Sequence, residues 1–344
     1  MKYLDECKKR RIARWVAEGG AIPQVVFKDL EKKVREVDIE IGERVAKGTY
    51  TEIYKPKEIE TMYCRKNLCL KIFIDGTENW GKDYILGYSN ILESTMVQNY
   101  MADQGKAPYV YDIVKINGKY AQITEYTEGE NKEGKIEDDR FIFHKTEITQ
   151  PHNLINGKLV DFQGAKFKDF GSLKREILYK ATARINSNGA SGGAYQSTQY
   201  FGGFRNTEDR LKKYNFNEFK GKTVLDIGCN YGMFAREAIK QGAKRVVGID
   251  TPEVINIARQ LAITDGYFNI DYIGADIKTL TQKEITKMTG IEKFDIHLFL
   301  SMIHWVGMPD WLKNCDTLYT EGHGKERVFK RWDIKNNPNI EIKI

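Results

Sequence analysis

The sequence lacks a long apolar run, a cysteine-rich segment and internal repeats, and each absence excludes a class of protein. No window of its 344 residues approaches the eighteen or so apolar residues of a membrane span, and charges near the start from Asp5 onward do not indicate export. The five cysteines are an odd number, and only Cys64 and Cys69 lie close together, at a spacing unlike that of a zinc ribbon. We therefore expect a cytoplasmic protein of a reducing compartment, without a membrane partner or a structural metal.

The charge balance says little about the partner. The chain has 54 lysines and arginines against 48 acidic residues, a formal net charge of +6. This mild excess favours an anionic substrate but does not require nucleic acid. The oligomeric state is left open.

Hydrophobic periodicity and turn residues divide the chain into four parts. We predict N-terminal amphipathic helices over residues 1–37, a small α+β domain over residues 38–170, a helical linker over residues 171–215 and an α/β domain over residues 216–344. The second part has the order strand, strand, helix, strand, strand. The chain as a whole is predicted to be of the α/β class.

The order of elements in the second part resembles the N-terminal lobe of the protein-kinase superfamily. "VAKGTYTEIYKP" is similar to its glycine-rich loop, "LCLKIF" to the strand with its phosphate-binding lysine, and "PHNLINGKLVDFQGAKF" to the end of its catalytic loop and its metal-binding strand. The resemblance implies that Lys71 binds phosphate and pairs with Glu93 on the helix. It implies ATP and Mg²⁺ as ligands of this lobe. The nucleotide-binding residues that it implies are Lys71, Glu93, Asn153 and Asp161.

The same segment departs from the kinase pattern at several positions. Ala46 and Thr51 replace two loop glycines, and Ile148 stands where the catalytic aspartate is expected, with Glu147 nearby. These departures favour a degenerate nucleotide- or substrate-binding lobe over an active phosphotransferase.

The stretch "TVLDIGCNYGMFAREAIKQGAKRVVGID" predicts a buried strand, a glycine turn, a helix and a second strand. Gly228 and Gly232 allow a ligand to lie against the backbone where the first strand ends. Asp250, at the end of the second strand, is suited to accept hydrogen bonds from both hydroxyls of a ribose. A dinucleotide fingerprint would need further glycines where Asn230 and Met233 stand.

This stretch closely resembles the first motif of class I S-adenosylmethionine-dependent methyltransferases. "GADI", "FDIHLFLSMIHWVG" and "DTLYTEGHG" are similar to that family's third, fourth and fifth strands with their following loops. The resemblance implies a Rossmann-like fold and S-adenosylmethionine as the cofactor, with Asp226 against an amino group and Asp276 against the adenine. The predicted cofactor-binding residues are Asp226, Gly228, Cys229, Asn230, Gly232, Asp250, Asp276, Ile277 and Ser301.

Two segments flank this region. "AYQSTQYFGGFRNTEDRLKKY" resembles the segment that closes over the methyl donor, which implies that Tyr195, Gln196, Arg205 and Arg210 contact the methionine carboxylate or an anionic acceptor. A connecting helix with exposed basic residues is an equally open interpretation. Near the C-terminus, only "IEIKI" is predicted as a strand after Glu321.

The loop after the fourth strand contains the candidate catalytic residue. His304 suits a general base for a hydroxyl or amine acceptor because its ordinary pKa lies near neutrality, although a role in holding the loop is equally compatible with the pattern. Trp305 is predicted as a wall of the acceptor pocket, His297 as a packing residue within the strand, and His323 as a loop residue at the rim.

The sequence therefore predicts a methyltransferase acting on a hydroxyl or phosphate of a glycan or small metabolite, with a sugar phosphate among the acceptors considered. A kinase-like module beside a methyltransferase is similar to bifunctional enzymes that phosphorylate and methylate the end of a bacterial polysaccharide. Three alternatives stay open: an RNA methyltransferase that uses residues 8–11 and 205–213 on phosphates, a bifunctional kinase and methyltransferase, and a non-catalytic regulator.

Overall fold

The structure is a computed structural model that describes residue 31 and residues 34–48, 50–74, 88–129, 138–142, 154–162, 164–187, 207–322 and 328–343. The described chain divides into two compact units, one ending at Lys174 and the other beginning at Arg175. Among the described residues, no helix is long and apolar enough to cross a membrane.

The N-terminal unit is built on a five-stranded antiparallel sheet of order β1-β2-β3-β5-β4. Helix α2 lies between β3 and β4 in sequence, as predicted. The elements are β1 (Arg44–Lys47), β2 (Thr51–Tyr54), α1 (Lys57–Tyr63), β3 (Leu68–Phe73), α2 (Tyr88–Ala102), β4 (Val110–Ile116), β5 (Lys119–Glu125), β6 (Phe141–Ile142), β7 (Leu154–Ile155), β8 (Lys158–Leu159) and β9 (Lys166–Phe167).

Two hairpins of this unit follow from their turn residues. Asn117 and Gly118 join β4 to β5, and both have positive φ values, 51° and 75°. Asn156 and Gly157 join β7 to β8 in the same way, with φ values of 49° and 77°. Two-residue Asn-Gly loops suit the right-handed twist of paired strands because both residues tolerate positive φ.

Helix α2 buries polar as well as apolar side chains. Gln122 on β5 donates from Nε2 to Thr95 Oγ1 at 2.6 Å, and the Asn99 amide exchanges two hydrogen bonds with the backbone of Val110, at 2.8 and 2.7 Å. These side chains are almost fully buried. The contacts fix the rotation of the helix over the sheet, because a buried amide is costly unless it is paired.

The C-terminal unit contains a six-stranded sheet of order β12-β11-β10-β13-β14-β15, parallel except for β15, which runs antiparallel to β14. This mostly parallel sheet confirms the predicted Rossmann-like α/β class for this region. Its strands are β10 (Thr223–Ile227), β11 (Arg245–Asp250), β12 (Ile270–Gly274), β13 (Phe294–Leu300), β14 (Cys315–Glu321) and β15 (Phe329–Asp333). Helix α3 (Phe170–Ser187) spans the junction of the units, and the helices that follow are α4 (Thr207–Leu211), α5 (Met233–Lys240), α6 (Pro252–Thr264), α7 (Gln282–Thr289) and α8 (Ile303–Val306), with 3₁₀ turns at Phe216–Phe219 and Asp310–Lys313.

Strand β10 lies at the centre of two apolar cores. All five of its residues are buried, and successive side chains point to opposite faces. Val224 therefore packs in one core with Phe234 of α5, and Leu225 packs in the other with Phe294. Burial on both faces explains why Val224 and Leu225, at successive positions, are both apolar.

The C-terminal end differs from the prediction. The last strand is β15, which pairs with β14 from Thr317 to Glu321, whereas described residues 340–343 form no strand. Ile342 instead packs as a buried residue against one of the sheet's cores. The alternation in "IEIKI" thus reflects packing of an irregular segment, which has the same apolar pattern as a strand.

Candidate active site

The turn after β10 brings the glycine motif to the carboxyl edge of the sheet. The N–H groups of Gly228 and Cys229 donate to Ile249 O on β11, at 2.8 and 3.0 Å. The φ angles of Gly228, Asn230 and Gly232 are +73°, +51° and +70°. Such left-handed backbone is strained for most residues, which explains two glycines and an asparagine here.

Both glycines also lie against side chains of the protein itself. A Cβ atom on Gly228 would lie 2.2 Å from Met302 Sδ, and one on Gly232 would lie 2.1 Å from Tyr272 Oη. The turn is therefore fixed by packing from β12 and from the segment after β13. Met302 and Tyr272 were not predicted, because apolar and aromatic side chains carry no signal that separates a site wall from a core.

Asp250 holds the turn from the end of β11. Its Oδ2 accepts a hydrogen bond from Asn230 N at 2.8 Å, and its Oδ1 accepts one from Thr251 N at 2.7 Å. Both carboxylate oxygens thus tie the end of β11 to neighbouring backbone N–H groups. Asp250 lies at the strand end as predicted, and its role in ribose binding stays a prediction.

Asp226 is a buried carboxylate at the same edge, with 2% of its surface exposed. Within the described part of the chain, no hydrogen-bond partner meets its Oδ2 atom. Burial raises the pKa of Asp226 to about 7, the charge of Asp250 adds to this shift, and the charge of Arg210 and the N–H of Ala235 oppose it. An unpartnered buried carboxylate oxygen suits an incoming amino group, so the residues present fit the methionine part of S-adenosylmethionine.

The end of β14 carries one half of a buried ion pair. Arg210 of α4 contacts Glu321 through Nε at 2.9 Å and Nη2 at 2.5 Å, and 5% and 2% of the two residues are exposed. Ser301, which has a φ of +60°, donates from Oγ to Glu321 Oε2 at 3.1 Å. The sequence predicted Arg210 as a contact of an anionic group, and the structure gives it Glu321 as its carboxylate. Glu321 was missed, although it ends a strand in the same way as Asp250.

Of the other predicted cofactor residues, one is exposed beyond the end of a strand and two are buried in the apolar cores. Asp276 is exposed two residues beyond β12, where its Oδ1 accepts from Lys278 N at 3.0 Å. The side chains of Cys229 and Ile277 are buried in the cores, and burial raises the pKa of the Cys229 thiol. Tyr195, Gln196 and Arg205 lie outside the described residues.

Helix α8 places His304 and Trp305 at the rim of this edge. Both are exposed, Trp305 by 57%. His297, by contrast, is buried within β13, where Nδ1 lies 2.8 Å from Leu312 O and burial lowers the pKa of the imidazole to about 4. His297 is thus a packing residue, as predicted, while the role of His304 as a base stays a prediction. His323 lies outside the described residues.

In the N-terminal unit, the predicted pair of Lys71 and Glu93 is not formed. Lys71 Nζ lies 3.5 Å from Asp161 Oδ1 and donates to Val160 O at 3.2 Å. Glu93 Oε1 instead accepts from Phe167 N at 3.2 Å, and burial raises the pKa of this carboxyl. Glu93 is therefore bound to the backbone of β9, and Lys71 to the segment of Val160 and Asp161.

Asn153, Glu147, Ile148 and residues 8–11 lie outside the described chain. Among the residues that the structure does describe, no cluster of three or more histidine, cysteine and acidic side chains is arranged to hold a metal ion.

The family comparison locates its match within the C-terminal unit. A family model described as a methyltransferase domain matches residues 224–321. Protein arginine N-methyltransferase 1 of Saccharomyces cerevisiae is 42% identical over 53 residues, 15% of this chain and 15% of that protein. A ubiquinone biosynthesis O-methyltransferase of Coxiella burnetii is 34% identical over 105 residues, 30% of this chain and 41% of that protein. The chain thus spans less than half the length of either relative.

Among solved structures, the bifunctional kinase-methyltransferase WbdD is 22% identical to this chain, with a TM-score of 0.32. The match covers 42% of this chain and 36% of the WbdD chain. The order and direction of the strands and the family match define the fold of this region. Together these confirm the predicted enzyme class: the chain carries a methyltransferase domain of the S-adenosylmethionine-dependent type.

Proposed function

We propose that the protein transfers the methyl group of S-adenosylmethionine to a hydroxyl or phosphate oxygen of a glycan or small metabolite, and that its N-terminal unit is a kinase-like lobe that binds a nucleotide or presents the acceptor. The observation that carries the first part is the buried Asp226 carboxylate, with an unpartnered Oδ2 atom, beside a glycine turn held by Asp250.

The chain's residues divide the binding of the cofactor among them. Asp250 would accept hydrogen bonds from the ribose, Asp226 would pair with the amino group, and the backbone at Gly228 would lie beneath the methionine part. When bound, the cofactor supplies an electrophilic methyl group on a sulfonium. The protein's task is then to align an acceptor oxygen with that group, since proximity and orientation lower the barrier most in such displacements.

The proposed acceptor is supported by the rim residues and by one relative. Trp305 offers an exposed aromatic surface, and His304 is next to it in α8, where an imidazole suits removal of a hydroxyl proton. The Coxiella burnetii relative named above, which matches over 105 residues, is a ubiquinone biosynthesis O-methyltransferase. An ionised phosphate would need no base, so His304 matters only for a hydroxyl acceptor.

The kinase-like assignment of the N-terminal unit is supported by its strand order and by Lys71. The order β1-β2-β3-β5-β4, with α2 between β3 and β4, matches the pattern that the sequence resembles. Lys71 is 6% exposed and lies beside Asp161, a pairing that a nucleotide phosphate with Mg²⁺ would rearrange.

The test is transfer of labelled methyl to a cell extract that is then separated into glycans, small molecules, RNA and protein. We expect label in the glycan or small-molecule fraction, and an Asp250→Asn variant should lower the rate by about tenfold or more, because a charged hydrogen-bond acceptor is typically worth 1.5–3 kcal/mol. Label in RNA or protein would overturn the proposed acceptor, and no label in any fraction would overturn the transferase itself.

Asp333→Asn is the matched control for this variant. Asp333 also ends a strand, is half-buried and accepts a backbone N–H, from Asn336 at 3.1 Å. Because β15 is antiparallel, Asp333 lies opposite Thr317, near the start of β14, at the other edge of the sheet. Its variant should keep the wild-type rate.

A further inference from the structure

The glycine turn after β10 contains one large side chain, that of Tyr231. It stands between Asn230 and Gly232, which both have positive φ, and it is fully buried. Asn230 donates from N to Asp250 Oδ2 at 2.8 Å, and its own Oδ1 is buried without a hydrogen-bond partner among the described residues. Tyr231 therefore belongs to the backbone segment that a ligand would contact, while its side chain is packed inside the protein.

The hydroxyl of Tyr231 binds helix α3. Its Oη donates to Ala181 O at 2.9 Å. Ala181 is fully buried and belongs to the part of α3 that lies in the C-terminal unit. A carbonyl oxygen has two lone pairs, so it can accept this hydroxyl in addition to a helical N–H. Because a buried hydroxyl is costly without a partner, the bond fixes the turn against the helix.

The backbone of Tyr231 is held from a second direction by Arg236 of α5. Arg236 Nη1 donates to Tyr231 O at 2.6 Å. The arginine is almost fully buried, and Asp265 at the end of α6 balances its charge, with Oδ2 3.9 Å from Nε. Hydrogen bonds from a charged donor are stronger than those between neutral groups. Tyr231 thus has an anchor at its hydroxyl and another at its carbonyl oxygen.

These anchors differ in kind from the contacts of the first half of the turn. There the backbone is bound to strand β11, for example from Cys229 N to Ile249 O at 3.0 Å. Tyr231 binds the second half to two helices instead. The position of the turn toward a ligand depends on both halves, because a segment fixed at one end only can still rotate about it.

We propose that Tyr231 is a positioning residue of the cofactor site: anchored to α3 by its hydroxyl and to α5 by its carbonyl oxygen, it fixes the glycine turn on which S-adenosylmethionine lies. This rests on the cofactor binding proposed above. It assigns to α3 a part in the affinity for the methyl donor, although Ala181 acts only through the tyrosine.

The informative variant is Tyr231→Phe, which keeps the ring and removes only the hydroxyl. Calorimetry on the full-length chain should show S-adenosylmethionine bound about three- to tenfold more weakly than by the wild type, the range expected for one neutral hydrogen bond. Affinity is measured without denaturant, at a temperature at which circular dichroism shows each variant to be folded, so that lost stability alone does not lower it.

Tyr319→Phe is the matched control. Tyr319 is also a buried tyrosine of the C-terminal unit, and its hydroxyl donates to Glu218 Oε2 at 3.0 Å in the 3₁₀ turn Phe216–Phe219. This variant loses a hydroxyl contact outside the glycine turn. Its midpoint of unfolding in urea should fall, but its affinity for S-adenosylmethionine should equal that of the wild type.

Kinetics separate positioning of the donor from a role in the reaction step. In the labelled-methyl assay, Tyr231→Phe should raise KM for S-adenosylmethionine and leave kcat unchanged, because the tyrosine touches no reacting atom. The double variant Arg236→Met and Asp265→Asn removes the anchor at the carbonyl oxygen and leaves no uncompensated buried charge. It should also weaken binding, and it keeps the test open if Tyr231→Phe does not fold.

Wild-type affinity in Tyr231→Phe or in the double variant overturns the inference, as does an equal loss of affinity in Tyr319→Phe. A lower kcat with an unchanged KM also overturns it, since the tyrosine would then act on the reaction step. Failure of the wild type itself to bind S-adenosylmethionine overturns the proposed function, and the inference that rests on it falls as well.

Discussion

The predicted site residues lie close together in the C-terminal unit, whereas the predicted pair in the N-terminal unit is not formed. In the C-terminal unit, Asp226, Gly228 and Asp250 come from two adjacent parallel strands and meet at one edge of the sheet. In the N-terminal unit, Lys71 on a strand and Glu93 on a helix were predicted to pair, yet each has a different partner.

The difference shows which geometric relations a sequence specifies. Adjacent parallel strands must end at the same edge, so a residue's place at the end of its strand fixes its place in the site. The rotation of a helix over a sheet depends on packing instead. In α2, Asn99 binds the backbone of Val110, a partner that cannot be read from periodicity.

The largest effect should come from Gly228→Ala, which places a Cβ atom in the left-handed turn after β10. Left-handed backbone costs about 1–2 kcal/mol for a residue with a Cβ, and displacing Met302 from 2.2 Å adds about 1–3 kcal/mol. We expect the free energy of unfolding to fall by about 2–5 kcal/mol in urea titrations, with binding of S-adenosylmethionine lost in calorimetry.

Gly290→Ala is the matched control. Gly290 has a φ of +70° at the end of α7, but nothing lies within 4 Å of where its Cβ would be. This variant should lose only the backbone part of the stability, about 1–2 kcal/mol, and should bind the cofactor normally. Equal effects on stability and binding at the two glycines would contradict the packing argument.

Residue type allowed some residues of the site to be predicted from the sequence and not others. The turn, Asp226 and Asp250 were predictable because backbone strain and strand ends leave signatures in residue type. Glu321 satisfied the same strand-end rule and was overlooked, whereas the contact of Met302 with Gly228 depends on the path of a distant segment. "IEIKI" shows the opposite error, because an apolar pattern alone does not distinguish a strand from a packed irregular segment.

The stability of the two units should depend on pH with opposite signs. Burial lowers the pKa of His297 in β13 to about 4, so the unfolded chain, with an ordinary value near 6.5, binds the proton more readily. The C-terminal unit should lose stability as the pH falls from 6.5 to 4, by up to about 3 kcal/mol. The N-terminal unit should show the opposite sign from Glu93, whose pKa is raised by burial and whose contribution to stability weakens as the pH rises.

Unfolding measured by calorimetry between pH 4 and pH 8, with the imidazole resonances followed by NMR, checks this prediction. His297→Gln keeps a hydrogen-bond donor for Leu312 O but cannot be protonated, so its pH dependence in this window should be shallower than that of the wild type. A His297 resonance that titrates near neutrality would contradict the assignment.

The smallest effect on the C-terminal unit should come from Lys71→Met, which tests whether the two units bind their ligands independently. Loss of the contact with partly exposed Asp161 should cost the N-terminal unit about 1 kcal/mol, because ion pairs that reach solvent are weak. Calorimetry should show loss of Mg²⁺-ATP binding with unchanged affinity for S-adenosylmethionine, and Lys119→Met, at an exposed lysine of β5, should change neither. If the wild type does not bind Mg²⁺-ATP, nucleotide binding is excluded as the role of the N-terminal unit, and presentation of the acceptor is the role that remains. If Lys71→Met weakens the methyl donor as much as the nucleotide, the two units act as one site and the comparison fails.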